Sequence, residues 1–217
     1  MNSKKTIIFD VDGVLLDTVP YHFAAWKSLF EKKGIKFTFK DYLLKVNGLP
    51  RLVGIKNIMP KAPKKNLETF AAQKQNYLVD LITKKPPKPL PGVVRFLKKI
   101  QQKNFKMAAA SSSKNAPLLL EKSGLNIYFH AQVSGSDFKK PKPNPEIFLL
   151  ASQRLKVPPE RCIVVEDSYF GILAAKKCKM KTIGLMTSND KKIPGLADIT
   201  VGSLQDSKKI IDFIESL

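Results

Sequence analysis

The residues that decide the fold read Thr6-Ile7-Ile8-Phe9-Asp10-Val11-Asp12-Gly13-Val14-Leu15-Leu16-Asp17-Thr18. The apolar run Ile7-Ile8-Phe9 predicts a buried strand, and an acidic turn follows it. Because alternate residues of a strand point to the same side, Asp10 and Asp12 are expected to lie together. Two carboxylates about 4 Å apart repel each other by roughly 4 kcal/mol at an effective dielectric constant of about 20. Such a pair indicates a proton, a cation or a catalytic role, and a solvated Asp-Gly turn is the alternative.

The size and composition of the chain are those of an ordinary globular protein. It has 217 residues, of which 43% are hydrophobic, so it can bury a core as one large domain or two small ones. No apolar run approaches the roughly 18 residues that a membrane span needs, and the amino terminus is not typical of a signal peptide. The sequence therefore predicts a cytoplasmic protein with no membrane partner. Cys162 and Cys178 lack metal-type spacing, and we interpret them as reduced packing residues.

The net charge of +20 calls for a choice between an anionic partner and a lysine-rich surface. Only four of the 38 basic residues are Arg, the residue that reads bases and binds phosphates in a fork. The lysines are also not interleaved with aromatic residues, as a groove for single-stranded nucleic acid requires. We therefore expect a solvated lysine-rich surface and no nucleic-acid partner. A basic nucleic-acid-binding protein is the distant alternative.

The chain changes its pattern near residue 84. Before that point the apolar spacing predicts helices at residues 20–33, 41–46, 52–58 and 66–83. The Pro- and Lys-rich residues 84–92 predict a linker or hinge. Beyond it, strands are predicted at 105–110, 131–134, 162–165, 182–186 and 199–201. The helices predicted between and around these strands are 93–101, 116–122, 145–155, 170–177 and 203–216.

Repeated β-α units imply a parallel sheet with helices on both faces. The first strand must join this sheet, because it could not be buried alone. We therefore predict an α/β fold in which a Rossmann-like doubly wound core is formed by residues 1–17 and 88–217. A helical domain at residues 18–87 is inserted after the first strand.

In such sheets ligands bind beyond the carboxyl ends of the strands, so partners of Asp10 and Asp12 are expected there. The strand at 105–110 runs into Ser111-Ser112-Ser113-Lys114-Asn115, where a hydroxyl and backbone N–H groups at a helix start can hold an anion. A simple helix cap is the alternative for this stretch taken alone.

Two further segments add charge at the same edge. The strand at 162–165 runs into Glu166-Asp167-Ser168, and with Asp10 and Asp12 its carboxylates make a hard oxygen site suited to Mg²⁺. A proline-rich loop carries Lys142, which can serve as a counter-charge. Each segment alone also fits a cap or a surface loop, but their joint position at successive strand ends favours a functional site.

Together these residues resemble the four motifs of the haloacid dehalogenase superfamily. The matching segments are Asp10-x-Asp12-Gly13-Val14-Leu15-x-Asp17-Thr18, Ser111, Lys142-Pro143-x-Pro145 and Glu166-Asp167-Ser168. Their order and spacing match over essentially the whole chain. The helical insertion is similar to the α-helical cap domain of that superfamily.

The resemblance implies a phosphoryl-transfer enzyme that works through an aspartyl-phosphate. Asp10 would attack phosphorus, Asp12 would act as general acid and base, and Ser111 and Lys142 would hold the transferring phosphoryl oxygens. A covalent intermediate splits one slow displacement into two easier steps. The cofactor implied is Mg²⁺, and its implied ligands are Asp10, the backbone carbonyl of Asp12, Asp167 and the nearby Glu166.

Within the superfamily the chain is most similar to the β-phosphoglucomutase-like branch, which implies further substrate contacts. These are His22, Trp26, Gly48 and Arg51 in the cap, with Ser113, Lys114 and Asn115 in the core. Arg51 would bind a second, non-reacting phosphate through its planar fork. Two positions depart from that branch, because Gln73, followed by Lys74, stands where it usually carries a lysine, and no acidic residue follows Arg51.

We therefore expect a monomeric, magnesium-dependent phosphatase of small phosphorylated metabolites such as sugar phosphates. The main alternative is a β-phosphoglucomutase, which interconverts β-glucose 1-phosphate and glucose 6-phosphate. The two differ in whether water or a sugar hydroxyl takes the phosphoryl group from Asp10. A well-sealed cap excludes water and favours the mutase.

Overall fold

The strand β1 (Thr6–Phe9) lies in the middle of a parallel sheet, and none of its residues is exposed. In the computed structural model, which describes residues 5–47, 49, 51–187 and 192–217, β1 pairs with two strands from far along the chain. These are β2 (Lys106–Ala110) and β4 (Cys162–Glu166). The first strand therefore completes a core that is built from the second half of the chain.

The remaining strands of the described sheet are β3 (Ala131–Val133), β5 (Lys181–Leu185) and β6 (Ile199–Val201). The strand order is β3-β2-β1-β4-β5-β6, and every pairing is parallel. Each strand lies within one or two residues of its predicted position. The predicted α/β fold with a parallel sheet is therefore confirmed.

Helices of this unit connect the strands. They are α5 (Val93–Gln102), α6 (Ala116–Lys122), α7 (Glu146–Leu155), α8 (Tyr169–Lys177) and α9 (Ser207–Ser216). The last one was predicted to begin at residue 203. It begins later because the Asp206 carboxylate accepts hydrogen bonds from the N–H groups of Gly202 and Ser203, at 3.0 and 3.4 Å, which closes a turn before the helix.

The chain divides into two compact units, one made of Met1–Asp17 with Pro87–Leu217 and the other of Thr18–Pro86. Within the first unit, the residues just before the helical insertion contact the residues just after it. The N–H of Leu90 donates to the carbonyl of Leu15 at 2.9 Å, and Leu16 forms an isolated bridge with Pro89. The role of the second unit as a cap over a catalytic core stays a prediction.

The second unit is helical over its described residues. Its helices are α1 (Val19–Glu31), α2 (Phe39–Asp41), α3 (Arg51–Ile58) and α4 (Lys64–Lys84). They pack around an aromatic centre in which the rings of Trp26 and Phe30 stack with centroids 5.5 Å apart. Among the described residues, none of the helices has the length and hydrophobicity of a membrane-spanning segment.

The helix predicted at 41–46 is present and forms as a π-helix. The chain there forms a π-helix, Tyr42–Val46, that continues α2, and the N–H of Asn47 donates to the carbonyl of Tyr42 at 2.9 Å. The hydrogen bond spans five residues instead of four, which widens the turn. The apolar pattern is compatible with either helix, so the sequence could not distinguish them.

Candidate active site

The carboxylate of Asp10 lies at the carboxyl end of β1, between the ends of β2 and β4. The N–H of Asp10 donates to the carbonyl of Val165 at 3.0 Å, which fixes the residue directly beyond the sheet. Only 6% of Asp10 is exposed. A buried carboxylate needs a charged or polar partner, because burial without one is costly.

That partner is Lys142, from the proline-rich loop before α7. Its Nζ lies 2.5 Å from Oδ1 of Asp10 and also donates to Oε1 of Glu166 at the end of β4. All three side chains are at least nine-tenths buried. The predicted counter-charge is therefore held between two carboxylates from neighbouring strands.

Asp12 and Ser111 meet across the ends of β1 and β2. The hydroxyl of Ser111 donates to Oδ2 of Asp12 at 2.8 Å and accepts from the N–H of Ser113 at 2.9 Å. Ser111 is fully buried, whereas Asp12 and Ser113 are half-buried. The structure thus brings the predicted acid–base residue and the predicted phosphate-binding hydroxyl into direct contact.

Glu166 is held from three sides. Its Oε2 accepts from the N–H and the hydroxyl of Ser168, at 2.8 and 2.9 Å, while Oε1 accepts from Lys142. A Cβ placed at Gly171, in the first turn of α8, would lie 1.8 Å from Oε1 of Glu166. This glycine therefore leaves the space that the carboxylate occupies, and no local sequence pattern indicates this role.

We expect Gly171→Ala to lower the free energy of unfolding by about 1–3 kcal/mol, because the new methyl overlaps Glu166. The displaced carboxylate would also lose its contacts with Lys142 and Ser168, so turnover should fall. Urea unfolding and steady-state assays measure both effects. Gly195→Ala is the matched control, since no atom lies within 4 Å of its added Cβ. An alanine at 171 that leaves stability unchanged would contradict this packing.

Burial and like charges raise the pKa values of the two central aspartates. Burial, with the nearby charges of Glu166, Asp12 and Asp167, raises the pKa of Asp10 well above its ordinary value, against the lowering effect of Lys142. Burial and then Glu166 raise the pKa of Asp167 to about 7. Burial alone would lower the pKa of Lys142, but Asp10 and Glu166 outweigh it and raise this pKa. If all the neighbouring carboxyl groups were ionised, the single positive charge of Lys142 would not balance their negative charge.

The donor chemistry fits a magnesium ion, because carboxylate oxygens at one sheet edge are hard ligands and their repulsion calls for another cation. Among the described residues, no group of three or more Asp, Glu, His or Cys side chains is arranged to hold a metal ion. Asp10 and Glu166 are both paired with Lys142.

The remaining core residues predicted to bind substrate follow Ser111. The hydroxyl of Ser113 accepts from the N–H of Asn115 at 3.1 Å, which shapes the turn before α6. Ser113 and Asn115 are half-buried, and Lys114 is exposed. Their contact with substrate stays a prediction.

The predicted cap residues lie in the helical unit, except Gly48, which is outside the described residues. Trp26 is buried in α1, and Arg51 donates to the side-chain oxygen of Gln75 in α4 at 3.1 Å. Nζ of Lys74 lies 3.3 Å from Nδ1 of His22 and 5.3 Å from the centre of the Trp26 ring. The structure therefore places Lys74 beside the predicted substrate-binding residues of α1.

Lys74 is the second functional candidate that sequence reasoning did not select. It is 2% exposed and lies on the apolar face of α4 with Ala71 and Leu78. Burial, and then the charge of Arg51, lower its pKa from 10.5 to about 7. The spacing 71–74–78 is that of a buried helix face, and this pattern could have indicated an inward lysine.

We expect Lys74→Met to remove a pH dependence of stability. The unfolded state binds more protons than the folded state between the two pKa values, so the stability of the wild type rises with pH there. The variant should be more stable than the wild type near neutral pH by roughly 2–4 kcal/mol, with the gap closing towards about pH 10. Urea unfolding at several pH values tests this. Lys65→Met, an exposed change on the same helix, should show no such gap.

Carboxylates, a lysine and a hydroxyl meet at the carboxyl edge of the parallel sheet, and the comparisons with known proteins place this α/β chain among enzymes of the phosphohydrolase and phosphomutase type. The chain belongs to the family described as Haloacid dehalogenase-like hydrolase, whose sequence pattern matches residues 7–185. The predicted superfamily and the predicted enzyme class are therefore confirmed.

The similar proteins include both a phosphomutase and a phosphatase, which are the two predicted alternatives. The chain is 34% identical to a β-phosphoglucomutase of Bacillus subtilis, over 93% of this chain and 94% of the relative. It is 36% identical to a phosphorylated carbohydrates phosphatase of Thermotoga maritima, over 87% and 88% of the two chains. The crystal structure of a β-phosphoglucomutase from Clostridium difficile superposes with a TM-score of 0.82 at 29% identity, covering 98% of each chain.

Proposed function

We propose that the protein is a magnesium-dependent phosphatase of small phosphorylated metabolites, with sugar phosphates as the expected substrates. The observation that carries this proposal is the buried Asp10 carboxylate beyond the central strand, with Nζ of Lys142 2.5 Å from its Oδ1. The carbohydrate phosphatase from Thermotoga maritima supports the choice of substrate class. A cytoplasmic, monomeric protein with no nucleic-acid partner stays our prediction.

The first half of the proposed reaction uses Asp10 and Asp12. A carboxylate oxygen of Asp10 attacks phosphorus and the bond from phosphorus to the ester oxygen breaks, which leaves an aspartyl-phosphate. Asp12 gives its proton to the departing oxygen, so that an alcohol leaves. Its contact with Ser111 fixes the direction in which this carboxyl points.

In the second half a water molecule takes the place of the alcohol. Asp12 removes a proton from this water, whose oxygen attacks phosphorus, and the bond between phosphorus and Asp10 breaks. Inorganic phosphate and the free carboxylate of Asp10 result. Ser111 and Lys142 provide a hydroxyl and an ammonium group for the negative oxygens of the transferring group.

The proposed holders of Mg²⁺ are Asp10, the backbone carbonyl of Asp12, Asp167 and, close by, Glu166. A bound Mg²⁺ would neutralise charge on the phosphoryl oxygens. Its binding would also require Asp10 and Asp167 to be ionised, which their raised pKa values oppose at acid pH.

A β-phosphoglucomutase is the second candidate, and the relative from Bacillus subtilis, which matches over 93% of this chain, favours it. In that reaction a sugar hydroxyl, instead of water, takes the phosphoryl group from Asp10. The second phosphate of a bisphosphate intermediate would then need a partner, and Arg51 is the proposed one.

One experiment separates the two functions. The protein is incubated with Mg²⁺, β-glucose 1-phosphate and a trace of the bisphosphate, and the products are followed by phosphorus NMR. Free phosphate identifies a hydrolase, whereas glucose 6-phosphate without free phosphate identifies the mutase. If neither product appears, a panel of phosphate esters is tested next, and activity on none of them would contradict the proposal.

A further inference from the structure

Thr187 joins two of the segments that carry the candidate catalytic residues. It lies two residues beyond β5, at the same edge of the sheet as Asp10. Its hydroxyl donates to the carbonyl of Gly13 at 2.9 Å and lies 3.4 Å from Oδ2 of Asp167. The hydroxyl therefore bridges the turn after β1 and the carboxylate after β4, and its shorter contact is the one to the Gly13 carbonyl.

Gly13 also lies directly beside the Asp167 carboxylate. Its φ of +82° is unfavourable for a residue with a side chain, and a Cβ there would lie 2.1 Å from Oδ2 of Asp167. Oδ2 thus occupies the space that any other residue at position 13 would fill. The Asp167 carboxylate lies in a slot formed by Gly13 on one side and the Thr187 hydroxyl on another.

A carboxylate that is already held in place binds a cation more tightly, because less side-chain freedom is lost on binding. Groups that hydrogen-bond a metal ligand typically change metal affinity by about 10- to 100-fold when they are removed. Thr187 is the described residue beyond β5 whose hydroxyl reaches this slot, and it is exposed, so its replacement leaves the core packing intact.

We propose that Thr187 is a positioning residue for Asp167, which it holds beside the Asp12-Gly13 turn, next to the other proposed holders of Mg²⁺. This inference rests on the proposed magnesium dependence. The role needs the hydroxyl and not the methyl group of threonine, which gives two informative substitutions. Thr187→Val keeps the shape of the side chain and removes the hydroxyl, whereas Thr187→Ser keeps the hydroxyl.

Titration calorimetry with MgCl₂ alone, on the full chain without substrate, tests the proposal. We expect Thr187→Val to weaken Mg²⁺ binding by about tenfold and Thr187→Ser to stay within about twofold of the wild type. Thr182→Val is the matched control, because the Thr182 hydroxyl donates to Asp198 at 2.7 Å at the opposite end of β5. This control should lower Tm and leave the Mg²⁺ affinity of the folded protein unchanged.

The outcomes separate this inference from the proposed function. If the wild type binds Mg²⁺ and Thr187→Val binds it equally well, the positioning role is overturned while the magnesium dependence stands. A loss of affinity in Thr187→Ser as large as that in Thr187→Val would also overturn it, because the hydroxyl would then not be the cause. If the wild type does not bind Mg²⁺, both the inference and the magnesium part of the proposed function fall.

Discussion

Replacing Asp10 with asparagine should abolish turnover, with kcat falling on the order of 10⁵-fold or more. The amide is nearly isosteric with the carboxylate but cannot attack phosphorus to form the covalent intermediate. The wild type, quenched with acid during turnover of a ³²P-labelled substrate, should carry label on the protein, and Asp10→Asn should carry none. The assay therefore measures the intermediate directly as well as the rate.

Asp212→Asn is the matched control for this experiment, because it makes the same chemical change at an exposed position of α9. It should keep both wild-type turnover and acid-stable label. Thermal unfolding of Asp10→Asn distinguishes lost chemistry from lost folding, since the variant removes a buried charge and should stay folded. Turnover or labelling of folded Asp10→Asn at the wild-type level would show that Asp10 is not the nucleophile.

The strands and the core of the candidate site could be predicted because both depend on local patterns. Each strand is a short apolar run that ends in polar residues, and a parallel sheet brings all such ends to one edge. Ser111 and Glu166 therefore could be assigned to the neighbourhood of Asp10 without knowledge of any contact. Ser111 contacts Asp12, and Glu166 contacts Lys142, because these side chains are long enough to meet at the common edge of the sheet.

The remaining features depend on contacts that no local pattern contains. Gly171 is identified only by the Glu166 carboxylate that occupies the space a side chain would need, and the close approach of Gly13 to Asp167 is likewise seen only in the structure. Thr187 contacts the candidate site through a hydrogen bond to the carbonyl of Gly13, which lies 174 positions away in the chain. Lys74 is a partial exception, because the spacing 71–74–78 is that of a buried helix face, but its position beside the Trp26 ring is seen only in the structure.

Lys142→Met should destabilise the folded protein by about 3–5 kcal/mol at neutral pH and abolish turnover. The methionine fills nearly the same volume, but it leaves the buried carboxylates of Asp10 and Glu166 without the ammonium group that lies between them. Breaking a buried ion pair from one side costs more than replacing the whole pair, because an uncompensated charge stays in the interior. Urea unfolding in the presence of EDTA measures this effect without added metal.

The pH dependence of that loss identifies its cause. The pKa of Asp10 is raised in the folded state, so the folded protein binds a proton that the unfolded protein has released, and stability falls as pH rises through the folded pKa. Lys142 lowers the pKa of Asp10, so replacing Lys142 should raise this pKa further. The decrease in stability with rising pH should then continue to higher pH in the variant. The deficit of Lys142→Met should therefore be larger near about pH 8 than near about pH 5.

Lys140→Met, at an exposed position of the same loop, should show neither the loss nor its pH dependence. Equal deficits at both pH values would mean that lost packing, and not an uncompensated carboxylate, destabilises Lys142→Met. If the loss of stability in Lys142→Met is small at acid pH, the uncompensated carboxylate is its cause. Protonation of Asp10 at acid pH then removes the charge that Lys142 neutralises in the wild type. The same cation that stabilises the resting site would in that case be the one available to the transferring phosphoryl group, so stability and catalysis would depend on a single ammonium group.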